Sequence, residues 1–144
     1  MRLILDTNVM VAALRSDQGA SRQLLLAALD RRIVMLCSVP LMLEYEAVLT
    51  RPEQLEETGL TIRETGAILD ALAGVIEPLA LRFLWRPCLK DPADEMVLEA
   101  AVNGRAECLV TFNLRHLGEA ASIFGIRAAP PAEIWREIRL GEEN

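Results

Sequence analysis

Apolar residues along this chain come in short unbroken runs separated by longer amphipathic stretches. The runs 2–5, 33–37 (Ile33-Val34-Met35-Leu36-Cys37), 107–111 (Glu107-Cys108-Leu109-Val110-Thr111) and, more weakly, 125–128 have the length of strands buried on both faces. Helical spacing of apolar residues marks the intervals near 20–31, 39–50, 61–74, 93–103, 117–124 and 131–139. Ser38 followed by Pro40 opens the second of these with a cap and an early proline, and Gly104 stops the fourth. Strands alternating with helices of about ten residues or more predict βαβ units around a mainly parallel sheet.

One segment breaks the rhythm. Residues 51–74 hold Pro52, Gly59 and Gly66 beside an acidic patch of Glu53, Glu56 and Glu57, and read as a helical hairpin inserted between sheet elements. A charge run of this kind is first a solvated face; the sharper reading is a clip that binds a partner or gates a substrate.

Composition narrows the class. A chain of 144 residues that is 52% hydrophobic and 25% charged has the make-up of one globular domain, 1–144, with a sizeable core. No apolar run approaches the roughly 20 residues of a membrane span. Met1-Arg2 leads directly into a strand, leaving no room for a signal peptide, so a cytoplasmic location is expected. Cys37, Cys88 and Cys108 are widely separated and His116 is the only histidine, a poor set for structural zinc. Cys37 and Cys108 fall within strand-like runs, where a thiol serves as a small hydrophobe. The net charge of −6 argues against bulk electrostatic binding of nucleic acid. Almost all of the positive charge is arginine, Lys90 being the only lysine, and arginine suits local bidentate pairing with phosphate.

The candidate chemistry lies in the acids. In a parallel α/β fold, strand ends and helix starts share one edge, where ligands bind. Asp6 ends the first strand, Glu44 sits in the second turn of the helix from Ser38, Asp91 and Asp94 open the helix 93–103, and Thr111 and Asn113 follow the last clear strand. Asp6 is equally a cap for the helix that follows it, and Asp91-Pro92 has the form of a cap with proline at the first helical position. Asp94 shares an apolar face with Val97, Leu98 and Ala101, where a carboxylate needs a partner. Glu44 and Glu46 both lie among apolar neighbours, and periodicity does not choose between them. If Asp6, Glu44 and Asp94 meet, three carboxylates without a base among them suit a hard divalent cation, Mg²⁺ or Mn²⁺. Such an ion activates water for hydrolysis of a phosphodiester.

These residues resemble the PIN-domain family, in particular the VapC-like endoribonucleases and related toxin components of toxin–antitoxin systems. Leu3-Ile4-Leu5-Asp6-Thr7-Asn8-Val9 is similar to the first motif, with Asp6 as a metal ligand. Leu43-Glu44-Tyr45-Glu46 is similar to the second and selects Glu44. Asp91-Pro92-Ala93-Asp94 is similar to the third, with Asp94 as the core metal-binding acid and Asp91 auxiliary. Val110-Thr111-Phe112-Asn113-Leu114-Arg115-His116-Leu117 is similar to the fourth. The resemblance implies a three-layer α/β/α fold and a Mg²⁺- or Mn²⁺-dependent ribonuclease. Asp6, Glu44 and Asp94 would be catalytic and metal-binding, supported by Asn8, Asp91, Thr111 and Asn113. It implies an RNA substrate, a small antitoxin partner and a homodimer. The chain departs from the fullest pattern at the fourth motif, where Asn113 and His116 stand in place of an acid. That leaves three core acids plus Asp91, with weaker metal binding or a single ion as the consequence. His116 reads as an exposed loop residue. Two rivals remain: a PIN-like module that binds RNA or protein without cleaving, and a phosphatase with Asp6 as nucleophile. The phosphatase reading needs a second acid where this chain has Asn8.

Overall fold

A computed structural model describes residues 1–81 and 92–143. The run Leu3-Ile4-Leu5 has no exposure to solvent. Apolar side chains pointing alternately to both faces can be buried only if helices cover both sides of the sheet. This run is strand β1 (Arg2–Leu5), and it takes the central place among the five described strands. Its neighbours are β2 (Val34–Cys37) on one side and β4 (Cys108–Val110) on the other. The edges are β3 (Glu77–Pro78) beside β2 and β5 (Arg127–Ala129) beside β4. Every pairing is parallel, with Leu3 opposite both Met35 and Cys108, and Leu5 opposite Val110.

Eight helices are described: α1 (Thr7–Arg15), α2 (Ala20–Leu29), α3 (Val39–Leu49), α4 (Pro52–Thr58), α5 (Ile62–Ala73), α6 (Pro92–Gly104), α7 (Leu117–Ile123) and α8 (Pro131–Glu143). Helix α6 packs on β1, β2 and β4, α1 packs on α2 and α3, and α2 carries α8. The result is the expected α/β/α arrangement around a parallel sheet.

Local chemistry accounts for most boundaries. The Ser38 hydroxyl accepts a hydrogen bond from Leu41 N at 3.2 Å and caps α3, with Pro40 in the first turn. Thr61 and Glu64 form a reciprocal capping box at the start of α5 (3.0 and 3.1 Å). Segment 51–74 holds two helices, α4 and α5, separated by Gly59 at φ +75°, a conformation that suits glycine.

Two elements were not specified by the hydrophobic pattern. Helix α1 starts at the residue after Asp6, so strand and helix periods abut with no loop between them. Strand β3 is only Glu77–Pro78, exposed at both positions and carrying no apolar signature. A proline is tolerated there because an edge strand has one side without a partner. The weak strand expected at 125–128 lies at 127–129, displaced by the turn in which Gly125 takes φ +73°.

Cys37 and Cys108 are buried in β2 and β4. Burial pushes their thiols from the ordinary 9.0 up to about 12 and about 11, respectively. Burial also raises the Tyr45 phenol, with Cys37 and Asp6 adding to the shift. Cys88, the third cysteine, lies outside the described residues. The folded chain holds these protons more tightly than the unfolded chain. Their contribution to stability is therefore full below about pH 9 and is lost as pH rises toward 12. With one lysine and one tyrosine in the sequence, little else titrates in that window. The melting temperature is expected to fall steadily between pH 9 and pH 11. Cys37→Ala and Cys108→Ala should each flatten that fall in thermal scans across the range, whatever they do to the melting temperature at pH 7.

Candidate metal-dependent nuclease site

Strand order β3-β2-β1-β4-β5 means that the chain builds outward from β1 in one direction and then restarts on its other side at β4. Helices leave adjacent strand ends in opposite directions at such a switch point, opening a crevice between β1 and β4. Asp6 follows β1 and Thr111 follows β4. Both continue the ladder by one residue, through Asp6 N to Val110 O (2.9 Å) and Thr111 N to Ala129 O (3.0 Å).

The two readings of Asp6 can now be separated. Its backbone takes the N-cap position of α1, its carbonyl accepting from Val9 N (2.9 Å) and Met10 N (3.3 Å), but its carboxylate makes no capping bond. Instead Asp6 Oδ2 accepts a hydrogen bond from the buried Thr111 hydroxyl at 2.7 Å, with Asp6 only 3% exposed. The Thr111 hydroxyl in turn accepts from Asn113 N (2.9 Å), and the Asn113 side-chain amide donates to Asp94 Oδ2 (3.3 Å). A three-residue turn after β4 thus ties the acid at the end of β1 to the acid in the first turn of α6. Beneath it, the fully buried Tyr45 hydroxyl donates to Leu5 O, anchoring α3 to the residue before Asp6.

A cleft of about 260 Å³ opens over this network, lined by Asp6, Thr7, Asn8, Glu44, Val48, Arg51, Ala93 and Asp94. Glu44 is half-buried in the cleft wall, whereas Glu46 on the same helix is exposed and does not line it. Thr111 and Asn113 sit behind the carboxylates as hydrogen-bond donors. His116 is exposed at the start of α7 and caps nothing with its side chain. Asp91 lies outside the described residues.

Two lining residues escaped the sequence reading. Thr7 has a buried hydroxyl without a hydrogen-bond partner among the described residues. Arg51 comes from the turn between α3 and α4, a segment read as an insertion rather than as part of the site. The only sequence signal for either was adjacency, Thr7 to Asp6 and Arg51 to the end of the helix bearing Glu44.

All the carboxylate donors are hard oxygen ligands, and a buried, partnerless hydroxyl lines the same cleft. That set fits a divalent cation of the Mg²⁺ or Mn²⁺ type. Among the described residues no group of three or more His, Cys, Asp and Glu side chains is arranged to hold a metal ion by itself. This is compatible with Mg²⁺, which keeps several waters and commonly takes one or two carboxylates plus substrate phosphate. Asp6 and Asp94, linked through Thr111 and Asn113, are the pair best fixed for that role.

An all-parallel α/β sheet with an acidic cleft at its switch point places a ligand at the carboxyl ends of its strands. The chain belongs to the PIN-domain family: the family model described as PIN domain matches residues 2–115, from β1 through the turn that carries Asn113. PIN domains are generally metal-dependent nucleases acting on nucleic acid. No curated protein matches the chain. Among the described residues, no helix is long and apolar enough to cross a membrane.

The network makes a specific prediction at Asn113. Asn113→Asp exchanges an amide donor for a second carboxylate facing Asp94, adding like-charge repulsion to a lost hydrogen bond. The metal-free variant should be less stable than wild type by about 1–3 kcal/mol. It should also show a larger Mn²⁺-induced rise in melting temperature. Denaturation with and without Mn²⁺ checks both signs, and a variant as stable as wild type without metal would contradict the Asn113–Asp94 link.

Proposed function

We propose that this chain is a metal-dependent endoribonuclease of the VapC-like kind, acting as a single PIN-like domain. Under this reading it is a cytoplasmic, homodimeric toxin component restrained by a small antitoxin. The observation that carries the nuclease reading is the Asp6–Thr111–Asn113–Asp94 chain of hydrogen bonds at the switch point. It spends two side chains and a turn on orienting carboxylates toward a cleft, which a purely structural cap would not need.

Asp6 and Asp94 would hold the cation directly, and Glu44, on the α3 wall, would hold it or orient its water. When bound, a divalent cation lowers the pKa of water and offsets charge on the phosphate under attack. Thr111 and Asn113 each hold one carboxylate oxygen, of Asp6 and Asp94 respectively, and both acids line the cleft. Asn8, exposed at the mouth, offers an amide for polar contact with substrate. Asp91 would be auxiliary.

Asn113 in place of an acid also supports a second reading, a PIN-like module that binds RNA without cleaving it efficiently. A phosphatase using Asp6 as nucleophile is less well supported, because a neutral amide, Asn8, stands where a proton-transferring acid is needed.

Asp6→Asn and Asp94→Asn should each abolish Mn²⁺-dependent cleavage of single-stranded RNA while leaving the domain folded. Wild type should gain thermal stability with metal, by about 2.7 kcal/mol at a hundredfold excess over Kd. The gain should be much smaller in Asp6→Asn, and His116→Ala should match wild type in both assays. Equal metal responses in wild type and Asp6→Asn would place the metal elsewhere. Clean metal binding without cleavage of RNA would favour the binding-module reading.

A further inference from the structure

We propose that Arg51 is the phosphate-binding residue of this cleft, seating a backbone phosphate of the RNA beside the acids; the assignment rests on the nuclease reading above. A cleft lined by Asp6, Glu44 and Asp94 repels a polyanion, and the chain as a whole is acidic, with net charge −6. A cation offsets that repulsion at a single point. The substrate still needs a second anchor to fix its direction through the cleft, and among the described lining residues Arg51 is the one with a positive charge.

Its surroundings keep it available. Four of the other described arginines are engaged with carboxylates: Arg2 with Glu77 (2.7 Å), Arg15 with Glu57 (2.8 Å), Arg32 with Glu142, and Arg127 with Glu137 (2.7 Å); what sets Arg51 apart from the remainder is its place in the cleft lining. Arg51 forms no ion pair with any described carboxylate, although it shares the cleft with three. Its backbone is fixed on both sides. Arg51 N donates to Val48 O (3.3 Å), the Thr50 hydroxyl donates to Glu46 O (2.7 Å), and Pro52 begins α4 immediately afterwards. The Arg15–Glu57 pair ties α4 back to α1, the helix that starts at the site. The planar fork of a guanidinium matches two phosphate oxygens, and its charge strengthens both hydrogen bonds. Thr7, whose hydroxyl is buried without a hydrogen-bond partner among the described residues, lines the same cleft.

The test uses the full chain and a single-stranded RNA oligonucleotide of mixed sequence. Steady-state cleavage with Mn²⁺ is compared for wild type, Arg51→Ala and Arg51→Lys. RNA affinity is measured against salt concentration in the Asp94→Asn background, and the Mn²⁺-induced melting shift is recorded for each protein. Loss of a charge-assisted phosphate contact should lower kcat/KM roughly ten- to hundredfold in Arg51→Ala, chiefly through KM, with partial recovery in Arg51→Lys. The slope of log Kd against log salt should shrink by about 0.7, as expected for one phosphate contact on a single strand. The Mn²⁺ shift should persist or grow, because a positive charge has left the metal's neighbourhood.

Wild-type KM and salt slope in Arg51→Ala would overturn the assignment while leaving the nuclease reading intact. Loss of the Mn²⁺ shift together with RNA affinity would also overturn it, since Arg51 would then be supporting the fold of the cleft. Failure of wild type itself to bind or cleave RNA would defeat the nuclease reading, and the Arg51 assignment with it.

Discussion

A buried carboxylate at the end of the central strand is the constraint around which the rest of this molecule is arranged. Asp6 is 3% exposed, at the base of the cleft where a strand covered by helices on both faces ends. A carboxylate there must be met by donors or by a cation, and the fold supplies Thr111 from the neighbouring strand end. That bond requires β4 to lie directly beside β1 and in register, with Leu5 opposite Val110. Sheet order, register and the turn at 111–113 are thus tied to a single acid.

The same constraint places a hydroxyl and an amide, Thr111 and Asn113, behind two of the carboxylates. Thr111 and Asn113 hold Asp6 and Asp94 through neutral donors, which bring no charge of their own to the carboxylates. An arginine or lysine in either position would satisfy the carboxylates more strongly and close the site to metal. Among the described lining residues the positive charge is that of Arg51, on the cleft wall. Tyr45 completes the arrangement from below, its hydroxyl binding the Leu5 carbonyl and its ring filling the core, so that α3 presents Glu44 from a rigid base.

Much of this was legible in the residues. Three apolar runs correspond to β1, β2 and β4, because strands covered on both faces are apolar nearly throughout, whereas the weaker run at 125–128 only approximates the edge strand β5, which carries an exposed Arg127. Ser38, Pro40 and Gly104 mark helix ends through local backbone chemistry that needs no tertiary context. Edge strand β3 was illegible because two exposed residues, one a proline, carry no pattern, and their strand character comes only from pairing with Leu36 and Cys37. Helix α1 was seen only as whatever Asp6 might cap, because an apolar run following an apolar strand without a break blurs both periods.

The sequence by itself determined an alternating α/β chain of the PIN type, with acids at strand ends and helix starts, since periodicity and motif spacing are local properties. Tertiary structure alone decided which role each acid takes. Asp6 is a rim carboxylate and not a side-chain cap because its acceptor atoms meet Thr111, 105 residues away in sequence. Glu44 and not Glu46 faces the cleft because Tyr45 between them is drawn into the core, a choice that a helix apolar on nearly every side cannot encode in its period. Arg51 and Thr7 joined the lining only when α3, α4 and the start of α1 were packed together. A site formed across a sheet switch point is assembled from segments distant in sequence, and one-dimensional patterns carry the identity of its parts but not their meeting.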